Sequence, residues 1–247
     1  KKSQAELKAW NEHVDKESAP SNQEVPSYVQ VVGAVYKNSD PSDIAVTAAG
    51  GLVGEVIQVW RPRELNTHET EWGFSCMSYE ISGALGIKMA NPDKEVISFV
   101  GDGSYLLNNT DIYSSVITNN KLIIIVCDNG GFAVINRLQL FKGGNEYNNL
   151  LKSSNTPGLV DVDFAKHAES MGAKSEHVNS ISDLEEAFKR AKKSDVTYVI
   201  SIKTHAYQWL EGSAFWDSPT LEIPTTKENK EALKLYKEGK NKQRQGV

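Results

Sequence analysis

A chain of 247 residues, 39% hydrophobic and 24% charged, is long enough to bury one large core or two small ones. Its 27 Lys and Arg against 32 Asp and Glu give a net charge of −5 with both signs interspersed, so no nucleic-acid footprint is present. No apolar run is long enough to span a bilayer, no signal peptide is visible, and Cys76 and Cys127 are too few for a disulfide framework, so a cytoplasmic protein with two reduced thiols is expected.

In chain order, residues 1–16 are charged, with Leu7, Trp10 and Val14 at the spacing of a weakly amphipathic helix. A polar linker follows, and Tyr28, Val31, Val32, Val35 and Tyr36 mark a second helix over 27–36. Residues 1–40 are expected to form a helical arm. Residues 44–48 are the first apolar strand, ending at Gly50-Gly51 before a helix over 52–59, where freed backbone N–H groups suit an anion. Residues 61–72 read as a loop. Ser75 stands where an N-cap would, ahead of a helix over 77–90 with Met77, Ile81, Ala84, Leu85 and Met89 on one face. Cys76, where that helix opens, is placed for a lowered thiol pKa.

Residues 96–100 and 121–127 are continuous apolar runs, as in strands covered on both faces, and 110–119 can cross between them as a helix. Further on, 132–140 reads as a helix and 141–155 as a Gly- and Asn-rich loop. Asp163 caps a helix over 164–171 that Gly172 stops, and Ser182 with Glu185 forms a capping box for a helix through 193. Residues 197–202 are the last strand. Residues 209–223 read as irregular, Thr225 opens a helix through 237, and 239–247 reads as a frayed basic tail. The class is α/β: a doubly wound, mostly parallel sheet with helices on both faces, over residues 41–205, with 206–247 as a C-terminal extension.

The chemistry concentrates where two strands end, at Gly101-Asp102-Gly103-Ser104 and Asp128-Asn129-Gly130-Gly131. In doubly wound sheets, ligands sit beyond the carboxyl ends of the strands, so both turns open into one crevice. Asp102 offers a carboxylate oxygen, Asn129 an amide oxygen, and the glycines an approachable carbonyl. Oxygen donors without His or Cys suit a hard cation such as Mg²⁺. Gly103 and Ser104 lead into N–H groups that favour an anion, so a metal-bridged diphosphate fits the pair.

Gly-Asp-Gly, then 25 residues, then Asn129 resembles the signature of the thiamin-diphosphate-dependent enzymes. The resemblance implies the thiamin-diphosphate-binding fold over about residues 44–202, with Mg²⁺ held by Asp102, Asn129 and the carbonyl of Gly131. It implies Gly51, Leu52, Gly103 and Ser104 on the diphosphate, and Ser75 and Met77 at the pyrimidine and at the bend between the two rings. The usual paired Asn is here Asp128-Asn129, a departure that keeps the ligand. Narrower similarity rests on WRPREL at 60–65, WGFSCMSYEISGAL at 72–85, GFAVINRLQL at 131–140 and YNNL at 147–150. It is to those members that open a cyclic 1,2-dione during inositol breakdown.

Members of the family activate the cofactor with a Glu from a pyrimidine-binding domain, supplied by a neighbouring subunit. Nothing here resembles that domain, and the chain begins without Met. The resemblance therefore implies the C-terminal portion of a longer, self-associating enzyme, with no catalytic residue of its own and no activity alone. Left open are a sibling lyase or synthase sharing the same Mg²⁺ residues, and a non-catalytic cofactor-binding module. A nicotinamide enzyme is disfavoured, since no G-x-G-x-x-G opens a helix after a strand. His68 and His205 are further candidates for touching substrate.

Overall fold

The computed structural model describes residues 2–156, 158, 161–211, 218 and 220–243. Six strands form one sheet: β1 (Ile44–Thr47), β2 (His68–Thr70), β3 (Val96–Gly101), β4 (Ile123–Asp128), β5 (Lys174–Val178) and β6 (Tyr198–Lys203). Their spatial order is β2-β1-β3-β4-β6-β5, and every pairing is parallel. All six residues of β4 are buried, as its unbroken β-branched run requires.

The helices are α1 (Lys2–Glu17), α2 (Tyr28–Asn38), α3 (Gly50–Val59), α4 (Tyr79–Ala90) and α5 (Asp102–Leu107). They continue with α6 (Thr110–Ile117), α7 (Ala133–Phe141), α8 (Phe164–Ser170), α9 (Ile181–Lys192) and α10 (Lys227–Lys242). On one face of the sheet, Val31 and Val35 of α2, Leu52 and Val56 of α3, and Leu184 and Phe188 of α9 pack on Ile97, Phe99, Ile123 and Ile125. On the other, Ile81 of α4, Ile112 of α6, and Phe164 and Ala168 of α8 pack on Val96, Val100, Ile124 and Val126. This is the doubly wound α/β layering expected from the alternation of strands and helices.

Several local expectations are corrected. The 61–72 loop contains β2, and a further strand, β5, precedes α9. Both lie at sheet edges and are polar, His-Glu-Thr and Lys-Ser-Glu-His-Val, so neither carries an apolar period. The cap of α9 is Ser180 and not Ser182: its hydroxyl accepts the Asp183 N–H at 3.0 Å, and the shift turns Ile181 and Leu184 inward. Thr226 rather than Thr225 caps α10, accepting the Asn229 N–H at 3.1 Å, and the helix runs on to Lys242. Of the expected frayed tail, 244–247 lies outside the described residues, as do 212–217 and 219 within the irregular stretch. Asp163 caps α8 as expected, accepting the Lys166 N–H at 3.0 Å.

Beyond β6 the chain is strapped across α3 and α7. Both carboxylate oxygens of Glu55, a side chain buried in α3, accept the Leu210 N–H, at 3.0 and 3.1 Å. The guanidinium of Arg137 in α7 lies over the Trp209 ring, 3.8 Å from its centroid. Burial pushes the Glu55 carboxyl up to about 7, against smaller opposing pulls from the Leu210 N–H and Arg137. Its pKa when folded thus exceeds the ordinary 4.5, so the folded chain holds the extra proton and stability falls as pH rises from about 4.5 through 7. Glu55→Gln is expected to cancel part of that fall. Relative to the parent, its stability improves by about 2–3 kcal/mol between pH 5 and pH 8, read from urea melts at both.

Candidate functional site

The site lies where connections part. Neighbouring β1 and β3 send their chains to opposite faces, β1 into α3 and β3 through α5 into α6, which opens a crevice at their carboxyl ends. A cavity of about 490 Å³ occupies it. Gly51 and Leu52 enter from the head of α3, Asp102, Gly103 and Ser104 from the head of α5, Asn129 and Gly131 from the loop after β4, and Ser75 and Met77 from the loop before α4. All nine line this one cavity. His68 and His205 do not. The His205 N–H donates to the Pro26 carbonyl at 2.9 Å, and His68 sits in β2.

The Gly-Asp-Gly segment is not a free turn. Helix α5 starts at Asp102 itself. Neither Gly101 before α5 nor Ala49 before α3 gives a side-chain cap; at the head of α5 the Gly103 N–H turns to the Asp102 carboxyl, while the head of α3 has no side-chain cap to compete with an anion.

Asp102 is 5% exposed. Burial, then the nearby Asp128 carboxylate, push its carboxyl up to about 7, with the Gly103 and Gly131 N–H groups pulling the other way. Asn129 donates through Nδ2 to the Tyr28 hydroxyl, while its Oδ1 is buried with no partner. A buried acceptor left unpaired costs about 1–3 kcal/mol. A hard divalent cation would remedy both deficits at once, taking the carboxylate, the amide oxygen and the Gly131 carbonyl as ligands. The residues present therefore fit a Mg²⁺-type ion.

Asp128, standing where a second Asn is usual, is not among the residues lining this cavity; it borders a separate cleft and its side chain meets that of Asp102. It pairs with Lys203 at 2.6 Å and accepts the Gly130 N–H at 3.0 Å.

Ser75 is not the cap of α4. It sits in left-handed backbone at φ 52°, and the helix follows Ser78, which makes no side-chain cap bond. Glu71 holds this loop instead, accepting the Phe74 and Cys76 N–H groups at 2.8 and 2.6 Å. Local desolvation and the Glu71 carboxylate push the exposed Cys76 thiol up, opposite to the expected lowering.

Two residues here went unrecognised in the sequence. Glu80, 1% exposed in α4, accepts the Ala49 N–H at 3.2 Å and so braces the approach to α3. Tyr28 reads in sequence as one member of an apolar stripe, and nothing local marks its hydroxyl.

A family model described as "Thiamine pyrophosphate enzyme, C-terminal TPP binding domain" matches residues 48–202. A 3D-(3,5/4)-trihydroxycyclohexane-1,2-dione hydrolase of Bacillus licheniformis is 36% identical over 205 residues, covering 83% of this chain and 32% of that protein. The hydrolase of the same name from Lacticaseibacillus casei is 37% identical over 211 residues, covering 85% of this chain and 32% of that protein. The chain thus spans about a third of the length of these curated relatives. In fold it is similar to the thiamine diphosphate-dependent 4-hydroxybenzoylformate decarboxylase of Rhodococcus jostii RHA1, with TM-score 0.65 at 22% identity, over 76% of this chain and 34% of that one. Benzoylformate decarboxylase from Polynucleobacter necessarius gives 0.61 at 21% identity, over 71% and 32%. With more than half its length matched by the family model, the chain belongs to the thiamine pyrophosphate enzymes, as their C-terminal TPP binding domain.

Proposed function

We propose that this chain is the diphosphate-holding part of a thiamin-diphosphate-dependent hydrolase that cleaves a C–C bond of a cyclic 1,2-dione, turning trihydroxycyclohexanedione into an open-chain deoxy-glucuronate. The observation that carries the reading is the unpartnered Oδ1 of Asn129, buried on the same cavity as Asp102. Asp102, Asn129 and the Gly131 carbonyl hold Mg²⁺. Gly51, Leu52, Gly103 and Ser104 hold the diphosphate, whose charge the N-terminal ends of α3 and α5 favour. Ser75 and Met77 contact the pyrimidine and the bend between the rings. When bound, thiamin diphosphate supplies the carbanion nucleophile and the electron sink for C–C cleavage. The task of this chain is to fix that group in place and balance its charge. The activating Glu comes from a pyrimidine-binding domain of the same or a neighbouring subunit, so the working enzyme is a homo-oligomer in the cytoplasm and this portion alone turns nothing over.

Calorimetric titration with thiamin diphosphate tests the cofactor assignment. Saturable binding with Mg²⁺ that disappears in chelator is the expected result, and no binding in either condition overturns it. Turnover of a cyclic dione by the full-length protein, and none by this portion alone, is expected on the same reading.

A further inference from the structure

Tyr28 stands outside the stretch that matches the family model, yet it lines the cavity and is 8% exposed. Accepting the metal-site reading above, we propose that Tyr28 is a positioning residue for the divalent ion: its hydroxyl pins the nitrogen corner of the Asn129 carboxamide and leaves the oxygen corner for the ion.

A carboxamide is ambivalent. Half a turn about its last bond exchanges oxygen and NH₂, and only the oxygen binds a cation. The exchange matters in a cavity that Asp102 also lines, because a buried carboxylate attracts an NH₂ group. In the structure Asn129 Nδ2 is committed to the Tyr28 hydroxyl, and Oδ1 is the corner without a partner.

Local chemistry makes Tyr28 a firm anchor. It is the first residue of α2, and a capping box closes on both sides of it. Ser27 Oγ accepts the Gln30 N–H at 3.3 Å, and Gln30 Oε1 accepts the Ser27 N–H at 3.0 Å. The Gln30 amide also donates to the Ala19 carbonyl at 2.9 Å, and the His205 N–H ties Pro26 to the segment after β6. The ring reaches the head of α3, where a Cβ on Gly51 would lie 3.8 Å from Tyr28 Cε2. An element outside the matched domain thus sets the orientation of a ligand inside it.

The test is an electron paramagnetic resonance titration with Mn²⁺ in the presence of thiamin diphosphate. Tyr28→Phe keeps the ring and removes the acceptor. Its Mn²⁺ Kd is expected to rise about 10-fold, the usual cost of losing a group that orients a ligand. The melting midpoint of the unliganded protein is expected to stay within about 4 °C of the parent. The same change is then made in an Asn129→Asp background, where a carboxylate presents oxygen at either corner and has nothing to be oriented. There the loss is expected to shrink below about 2-fold, as a coupled pair requires. Equal losses in the two backgrounds, or no loss in the first, overturn the proposal and leave the metal site standing. A parent that takes up no Mn²⁺ removes the metal reading itself, and the role of Tyr28 with it.

Discussion

Asp102→Asn is expected to stabilise the unliganded protein while stripping it of its ion. The folded pKa of about 7 lies above the ordinary 3.8, so the folded state holds the extra proton and stability falls as pH rises through that window. At pH 8 the parent bears the full cost of a buried charge, at most about 4 kcal/mol at 1.36 kcal/mol per unit. A carboxamide keeps the shape and drops the charge, but it still buries a polar group. The net gain is therefore put at about 2 kcal/mol, or several degrees in the melting midpoint. Against this, a neutral ligand should weaken Mg²⁺-dependent binding of thiamin diphosphate by on the order of 100-fold, about 2.7 kcal/mol. Melts at pH 8 with and without Mg²⁺ and thiamin diphosphate read both effects. A variant less stable than the parent without ligand would show that burial of the carboxylate is not the governing cost.

Gly131→Ala is expected to be the most damaging single methyl in the site. Gly131 sits at φ 139°, where L side chains are rarely found, and its Cβ would fall on the Asn149 carbonyl oxygen and 3.0 Å from the Leu150 Cα. Both are backbone atoms. They are held in place because the Phe132 N–H donates to the Asn149 carbonyl at 2.7 Å and the Leu151 N–H to the Gly130 carbonyl at 2.8 Å. The clash cannot be relieved by turning a side chain, so a loss of about 3 kcal/mol or more is expected, with Mg²⁺-dependent binding lost as the Gly131 carbonyl shifts. Its neighbour provides the contrast. Gly130 has φ 77° with nothing within 4 Å of an added Cβ, so Gly130→Ala should cost only about 1–2 kcal/mol of backbone strain. Urea midpoints of the two variants measure the difference, and equal losses would mean that crowding at 131 is not what matters.

The central strand–helix–strand unit was legible because its signals are local. Apolar runs at 96–100 and 122–126 can be satisfied only by a covered parallel sheet, and Gly, Asp and Asn at their ends mark where the chain must turn. That convergence also made the nine cavity residues readable, since the carboxyl ends of parallel strands share one edge. What escaped was polar or distant. Strands β2 and β5 have few apolar residues because each is paired along one side only. Ser180 and Ser182 are both chemically able to cap α9, and the choice is made by which register buries Ile181, a tertiary fact. Ser75 does not cap α4 because the helix begins three residues later, after Ser78, and Ser75 lies in the loop that Glu71 holds through the Phe74 and Cys76 N–H groups. The Tyr28–Asn129 bond joins residues 101 positions apart, and Glu55 meets Leu210 across 155, so neither leaves a trace in any local window.

The hydrophilic character of β2 and β5 has a consequence for assembly. A short or charged outermost strand is a poor template for another chain's backbone, so lateral growth of the sheet by edge-to-edge addition is disfavoured at both ends. Helix surfaces and the loops around the cavity mouth are then the surfaces left for contact with other protein, and a second domain that reaches the cavity would approach by those loops.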